Sequence, residues 1–98
     1  MNTRSAHTKG SNNVFSDLGF SESEAHNLAL RSDLMIRVEK LVRDSGMTQQ
    51  EAAKTLGVTQ PRLNALLKGK IADFSLDALV NMLARAGMQV KMTVRKAA

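Results

Sequence analysis

A single glycine between two short helical patterns is the feature of this sequence that most constrains its fold. Thr48 and Glu51 stand at the spacing of a capping box, so a helix should begin directly after Thr48. It ends about two turns later at Gly57, because glycine readily takes the left-handed conformation that follows a helix end. Thr59 is the next N-cap, and Pro61 lies in a first turn, where its missing N–H leaves no hydrogen bond unmade. The pattern predicts two short helices joined by a tight turn.

Helical patterns also flank this pair. Ser21 begins a second capping box, and the apolar positions after it keep largely to one face of a helix over about 22–45. Ser75 is the N-cap candidate of a last helix that ends before Gly87. With three Phe and neither Tyr nor Trp, the interior must be filled by Leu, Val, Ala and Met, of which all but Val form helices well. The chain is therefore predicted to be mainly α-helical.

The spacing of apolar residues changes near the carboxyl end. Four apolar side chains alternate there with polar ones, a pattern typical of a half-buried strand over about 88–95: Met88, Val90, Met92 and Val94. A strand without a partner is not stable. The two candidate partners are the short segment 13–15 and the same strand of a second subunit.

Length limits the rest of the architecture. A chain of 98 residues can bury one modest core. Residues 1–12 are polar and show no apolar periodicity, so we expect a flexible tail there. Residues 13–98 are expected to form a single domain, a bundle of four to five helices with a C-terminal β-strand.

Several classes of function find no support in the residues. The chain has no Cys, which excludes disulfide bonds, thiolate zinc sites and cysteine nucleophiles. His7 and His26 lack the spacing of a metal-binding pair, and no glycine-rich phosphate loop occurs. We expect no enzymatic activity, no metal and no cofactor. With neither a long apolar stretch nor a signal-peptide core, the sequence predicts a soluble cytoplasmic protein.

The net charge of +5 is unevenly distributed. Residues 13–46 carry a net charge of −2, whereas residues 47–72 carry +3. Residues 1–12 and residues 73–98 carry +2 each. A basic patch attracts polyanions, so nucleic acid is one candidate partner.

The segment MTQQEAAKTLGVTQPRLNALLKGK, residues 47–70, resembles the helix-turn-helix of phage repressors and Cro proteins, the Xre family. Eleven residues match the family pattern: Thr48, Gln49, Glu51, Ala53, Leu56, Gly57, Val58, Thr59, Gln60, Gly69 and Lys70. The departures are Pro61, which removes a possible donor, and Leu67, where many members carry Glu. The resemblance implies a lambda-repressor-like fold and a sequence-specific repressor that binds double-stranded DNA at a palindromic operator.

A wider resemblance covers about residues 13–95. The segment 13–20, the segment 74–77 and the terminal strand are similar to those of the HigA-type antitoxin branch of the same family. This resemblance implies a homodimer that represses its own operon and neutralises a small ribonuclease toxin.

The resemblance makes the second short helix, about residues 60–68, a recognition helix whose outer face contacts bases. The candidates for these contacts are Thr59, Gln60, Arg62 and Asn64. The amide of Gln60 can bond adenine N6 and N7, and the fork of Arg62 can bond guanine O6 and N7. Alternatively, Gln60 only caps the helix, and Arg62 holds a phosphate or lies in solvent.

Contacts to DNA phosphates are expected around both helices, from Thr48, Gln49, Lys54, Lys68 and Lys70. Gln49 lies at a helix N-terminus, whose exposed N–H groups attract phosphate, whereas Thr48 serves first as a cap. A different function remains open, a protein–protein adaptor that kept the fold without specific DNA binding. The polar and basic outer face of the recognition helix favours DNA.

Overall fold

The computed structural model of the chain describes residues 14–96 and is mainly helical. Its elements, in chain order, are α1 (14–17), α2 (Glu22–Ser45), α3 (Gln49–Leu56), α4 (Gln60–Leu67), the 3-10 turn η1 (Ile71–Asp73) and α5 (Leu76–Arg85). The tail predicted for residues 1–12 lies outside the described residues. None of the helices in the described range is long and apolar enough to cross a membrane.

The predicted helix starts are confirmed by their caps. The Thr48 hydroxyl accepts from the Glu51 N–H at 3.1 Å, and the Thr48 N–H donates to a carboxylate oxygen of Glu51 at 2.9 Å. Ser21 forms the same reciprocal box at the start of α2. Thr59 and Ser75 each accept one backbone N–H at the starts of α4 and α5. These bonds satisfy donors that a helix start leaves without partners.

The core lies where α2 and α5 pack against each other and against the α3–α4 pair. Its most deeply buried side chains come from every one of these elements and from the link before α5: Val38, Ala52, Leu56, Leu63, Phe74 and Leu79. Ala52 and Ala53 are small, which allows α3 to approach its neighbours closely. Val58, in the turn, is partly buried and packs against this core.

Gly57 makes the turn between α3 and α4 in the predicted left-handed conformation, with φ 76° and ψ 28°. Its N–H donates to the carbonyl of Lys54, and the N–H of Val58 donates to the carbonyl of Ala53. The side chain of Arg85 lies directly across this glycine, in the space that a Cβ would occupy. The turn is therefore restricted both by its backbone conformation and by α5.

Residues 88–96 form no strand with any other residue that the structure describes, which corrects that part of the fold prediction. Residues 88–96 have no regular secondary structure, and the described range contains no strand. Of the candidate partner segment 13–15, Val14 and Phe15 lie in the helical turn α1 and so form no strand, and Asn13 lies outside the described residues. Without a neighbouring strand, the alternating residues have no ladder of hydrogen bonds to join.

Candidate nucleic-acid interface

The helix α4 presents its first turn to solvent. Leu63 and Leu66 are buried and attach the helix to the core, whereas Gln60, Pro61 and Arg62 are exposed. Since each residue advances about 100° around a helix, the face opposite the two leucines contains Pro61, Asn64 and Lys68, with Gln60 beside them. Asn64 is half-buried and Lys68 is exposed. The outermost part of α4 is thus mostly polar and is held on a rigid base.

Arg62 does not lie on that outermost face. Its guanidinium carbon is 4.5 Å from the centre of the Phe74 ring, stacked on an aromatic side chain that is itself fully buried. Such a cation–π contact restricts the orientation of the guanidinium while leaving its N–H groups free to donate. Arg62 therefore sits at the flank of α4 that faces the link to α5.

The position of Phe74 is fixed from α2. The Arg31 guanidinium donates to the carbonyls of Ile71 and Phe74, at 3.3 and 3.2 Å, and Asn27 accepts from its Nε at 2.8 Å. These bonds hold η1 and the following link against the bundle. The sequence did not predict that Phe74 positions Arg62. The one indication in the sequence was an aromatic residue directly before the N-cap of a helix.

The N-terminus of α3 has unused donors. The capping box occupies the N–H groups of Thr48 and Glu51, but the N–H groups of Gln49 and Gln50 make no hydrogen bond within the described chain. Both glutamines are exposed. Free N–H groups and the positive end of the helix dipole form a site that suits a phosphate, although the carboxylate of Glu51 adds a negative charge beside it.

The three lysines predicted to contact phosphates are all exposed. Lys54 lies in the last turn of α3, Lys68 is the C-cap of α4, and Lys70 precedes η1. The structure thus brings Thr59, Gln60 and Arg62 together at the start of α4, while Lys68 and Lys70 lie at its opposite end. No metal-binding cluster of His, Asp and Glu occurs in the part of the chain that the structure describes.

Comparison with protein families shows which known motif the pair α3 and α4 forms. A family model described as a helix-turn-helix domain matches residues 14–95. The chain belongs to this helix-turn-helix family. The fold is also similar to a solved structure described as "Putative XRE Family Transcriptional Regulator", with a TM-score of 0.70 and 26% sequence identity over 76% of this chain and 83% of that chain. A search of curated proteins gave no match.

Within this helix-turn-helix, α3 is the first helix of the motif and α4 is the second, the position that the recognition helix has in DNA-binding proteins with this motif. The charges on the motif differ from those on α2. On α2, Lys40 bonds Asp44 at 2.9 Å, which lowers the pKa of that carboxyl below its usual value, and Arg43 lies 4.0 Å from Glu39. Within residues 14–96, the cations of the helix-turn-helix make no such ion pair and face solvent or Phe74. They are available to a polyanion.

Proposed function

We propose that this helix-turn-helix protein is a sequence-specific transcriptional repressor that places α4 in the major groove of double-stranded DNA. The observation that carries the proposal is the exposed polar start of α4, fixed to the core by two buried leucines. The XRE-type structural neighbour supports regulation of transcription as the purpose of binding. The same resemblance supports a cytoplasmic, non-enzymatic protein.

Base contacts are assigned to the first turns of α4. Gln60 and Asn64 lie on or beside its outermost face, and each amide can form a paired contact with adenine. Thr59 lies at the N-terminal tip of α4, where its hydroxyl accepts a hydrogen bond from the backbone N–H of Arg62 at 3.2 Å. Arg62 has free guanidinium N–H groups held at the flank, which suits a guanine edge or a phosphate beside the groove.

Phosphate contacts are assigned to the N-terminus of α3 and to the lysines around the motif. Gln49 contributes its free N–H, and Thr48 orders that helix end by capping it. Lys54, Lys68 and Lys70 contribute charge without sequence information. A homodimer on a palindrome is proposed because one recognition helix contacts only a few base pairs, and two-fold pairing doubles the site.

The test compares variants on a duplex selected from a random library and on unrelated duplex. Gln60→Ala and Arg62→Ala should weaken binding to the selected duplex by about 1–3 kcal/mol more than binding to unrelated duplex. Asn81→Ala on α5 and Arg37→Ala on α2 are matched controls, because both residues are exposed and lie outside the motif. Equal losses on both duplexes would make the two residues phosphate contacts, and no selectable duplex would favour the adaptor function.

An antitoxin role is the second candidate, supported by a groove whose lining is more apolar than polar. The groove encloses about 410 Å³ between α1, α2 and the α4–η1 loop, and its apolar lining includes Phe15, Met35, Ile36 and Ile71. Ile36 is half exposed, and Val14 and Leu18 on α1 are also exposed. The groove adjoins the C-terminal end of α4, whereas the proposed base contacts lie at its N-terminal end.

The proposed occupant is a small basic ribonuclease toxin. Residues 14–46, which supply five of the ten residues that line the groove, carry six acidic and four basic side chains and so favour a basic partner. The protein encoded beside this chain should form a complex with it on size exclusion. Ile36→Glu should abolish that complex while operator binding is kept, whereas Asn81→Glu, an equal charge change on α5, should keep both. No complex with the neighbouring product would exclude the role.

A further inference from the structure

The segment 88–96 carries a row of backbone groups without partners. The N–H of Met88 bonds the carbonyl of Leu83, but no backbone group of residues 89–96 is bonded to another described residue. Such a row is a template for pairing with another strand. The segment therefore has the main-chain requirement for an interface.

The apolar side chains of the segment are mostly not packed against the rest of the described chain. Val90 packs against the core, which attaches the segment to the bundle. In contrast, Met92 is 62% exposed and Val94 is 94% exposed. In a strand, Val90, Met92 and Val94 would share one face, because side chains alternate. Beyond Val90, that face extends past the core of its own subunit, so the described chain leaves its apolar side chains open to burial by another chain.

We propose that residues 88–96 of two copies of this chain pair as an antiparallel β-ribbon about a two-fold axis at Met92. The inference rests on the homodimer of the proposed function and specifies its interface. A two-fold axis perpendicular to such a ribbon places one residue opposite itself, and every other pair then follows from the sequence. The occupant of each unpaired edge is therefore a second copy of the same segment.

Charge excludes the two registers adjacent to the one with its axis at Met92. With the axis at Met92, Lys91 lies opposite Thr93 of the second copy, and Gln89 lies opposite Arg95 of the second copy. No two cations are then directly opposed. An axis at Lys91 would oppose two lysines, and an axis at Thr93 would oppose Lys91 and Arg95, which is destabilising.

The apolar pairs agree with this register. An axis at Met92 places Val90 opposite Val94 of the second copy and the two Met92 side chains together. The exposed Val94 of each copy thus lies beside a Val90 that is already packed on the core. An axis at Val90 or at Val94 also avoids opposed cations, but the first pairs only residues 88–92 and leaves Val94 uncovered, and the second pairs only residues 92–96 and leaves Val90 unpaired. The register at Met92 covers the whole segment.

Single cysteines test the register, because the chain has no native Cys. Directly opposed residues have Cβ atoms about 4.5–5.5 Å apart, close to the separation in a disulfide. Met92→Cys in the full chain should form a covalent dimer under mild oxidation. Lys91→Cys and Thr93→Cys, the neighbours on the other face, should form it much more slowly, since each lies opposite the other position.

Light scattering separates this inference from the proposed function. The wild-type chain should have twice the chain mass, and Met92→Lys, which opposes two ammonium groups at the axis, should have the mass of one chain. Fastest cross-linking at position 91 or 93 would overturn the register, and a wild-type monomer, or a dimer unaffected by Met92→Lys, would overturn the interface. A cross-linked Met92→Cys dimer without preference for any duplex would support the interface and contradict the repressor.

Discussion

The helix-turn-helix segment, residues 48–70, and the C-terminal segment, residues 88–96, differ in where their backbone hydrogen bonds are made. In the first, caps and helices satisfy nearly every group from within some twenty residues of chain. In the second, the described chain offers no partner beyond the bond at Met88. Local sequence is thus enough to provide the backbone hydrogen bonds of the helix-turn-helix, whereas the C-terminal segment needs another strand for its own.

The largest effect on stability is expected from a cavity under α4. Leu63→Ala should lower the free energy of unfolding by about 2–5 kcal/mol, because Leu63 is fully buried. Val94→Ala should change it by less than about 0.5 kcal/mol in dilute monomer, since that side chain is 94% exposed. Urea titration of both variants measures the difference. A comparable loss at Val94 in monomer would mean that the C-terminal segment is packed on its own subunit.

A smaller effect is expected at the turn. Gly57→Ala should cost about 1–2 kcal/mol for the left-handed backbone, and more than Gly46→Ala, which has a similar φ of 75° but open space around it. The excess measures the displacement of the flexible Arg85 side chain. It should vanish in an Arg85→Ala background. If thermal unfolding shows equal losses for the two glycines, Arg85 does not restrict the turn.

Loss of the N-cap of α3 should lower the free energy of unfolding by less than the substitution at Gly57. Thr48→Ala removes the acceptor of the Glu51 N–H and should cost about 1 kcal/mol. Thr93→Ala in the C-terminal segment is the matched control and should have no effect on monomer stability, because its hydroxyl has no hydrogen bond within the described residues. Denaturant midpoints of the two variants check this. A neutral Thr48→Ala would show that the helix start is held by packing alone.

The smallest effect is expected on α2, which lies outside both regions, and it concerns the pKa of one exposed carboxyl. The hydrogen bond from Lys40 lowers the pKa of Asp44, so Lys40→Ala should return that pKa toward its usual value in a carboxyl NMR titration. A lowered folded-state pKa gives stability that is present above the unfolded pKa and lost as the pH falls through the folded one. Arg43→Ala should move the pKa less, being the weaker cause. An unchanged pKa in Lys40→Ala would show that the pair does not form in solution.

The sequence predicted the parts of the fold that are determined locally. The capping boxes at Ser21 and Thr48 and the left-handed Gly57 are confirmed, because each depends on residues within four positions of one another. The C-terminal strand predicted for about residues 88–95 is not formed among the described residues of the single chain, since alternation describes a side-chain pattern and does not supply a partner.

Contacts between distant positions could not be predicted in the same way. The stacking of Arg62 on Phe74 and the bonds of Arg31 to the η1 link join residues 12 to 43 positions apart. Helix periodicity placed Arg62 among the exposed residues, but only the packed structure shows that its guanidinium stacks on Phe74. The DNA contacts of Gln60, Asn64 and the lysines stay predictions.

The most direct test of a two-fold dimer with α4 in the major groove is a footprint on duplex selected by the wild-type chain. Methylation of guanine N7 and base-by-base substitution should reveal two inverted half-sites, protected in the major groove and centred about 10 base pairs, or 34 Å, apart. Protection should weaken in Gln60→Ala at specific base pairs. A single half-site, protection confined to the minor groove, or no selectable sequence would contradict the proposed mode of DNA binding.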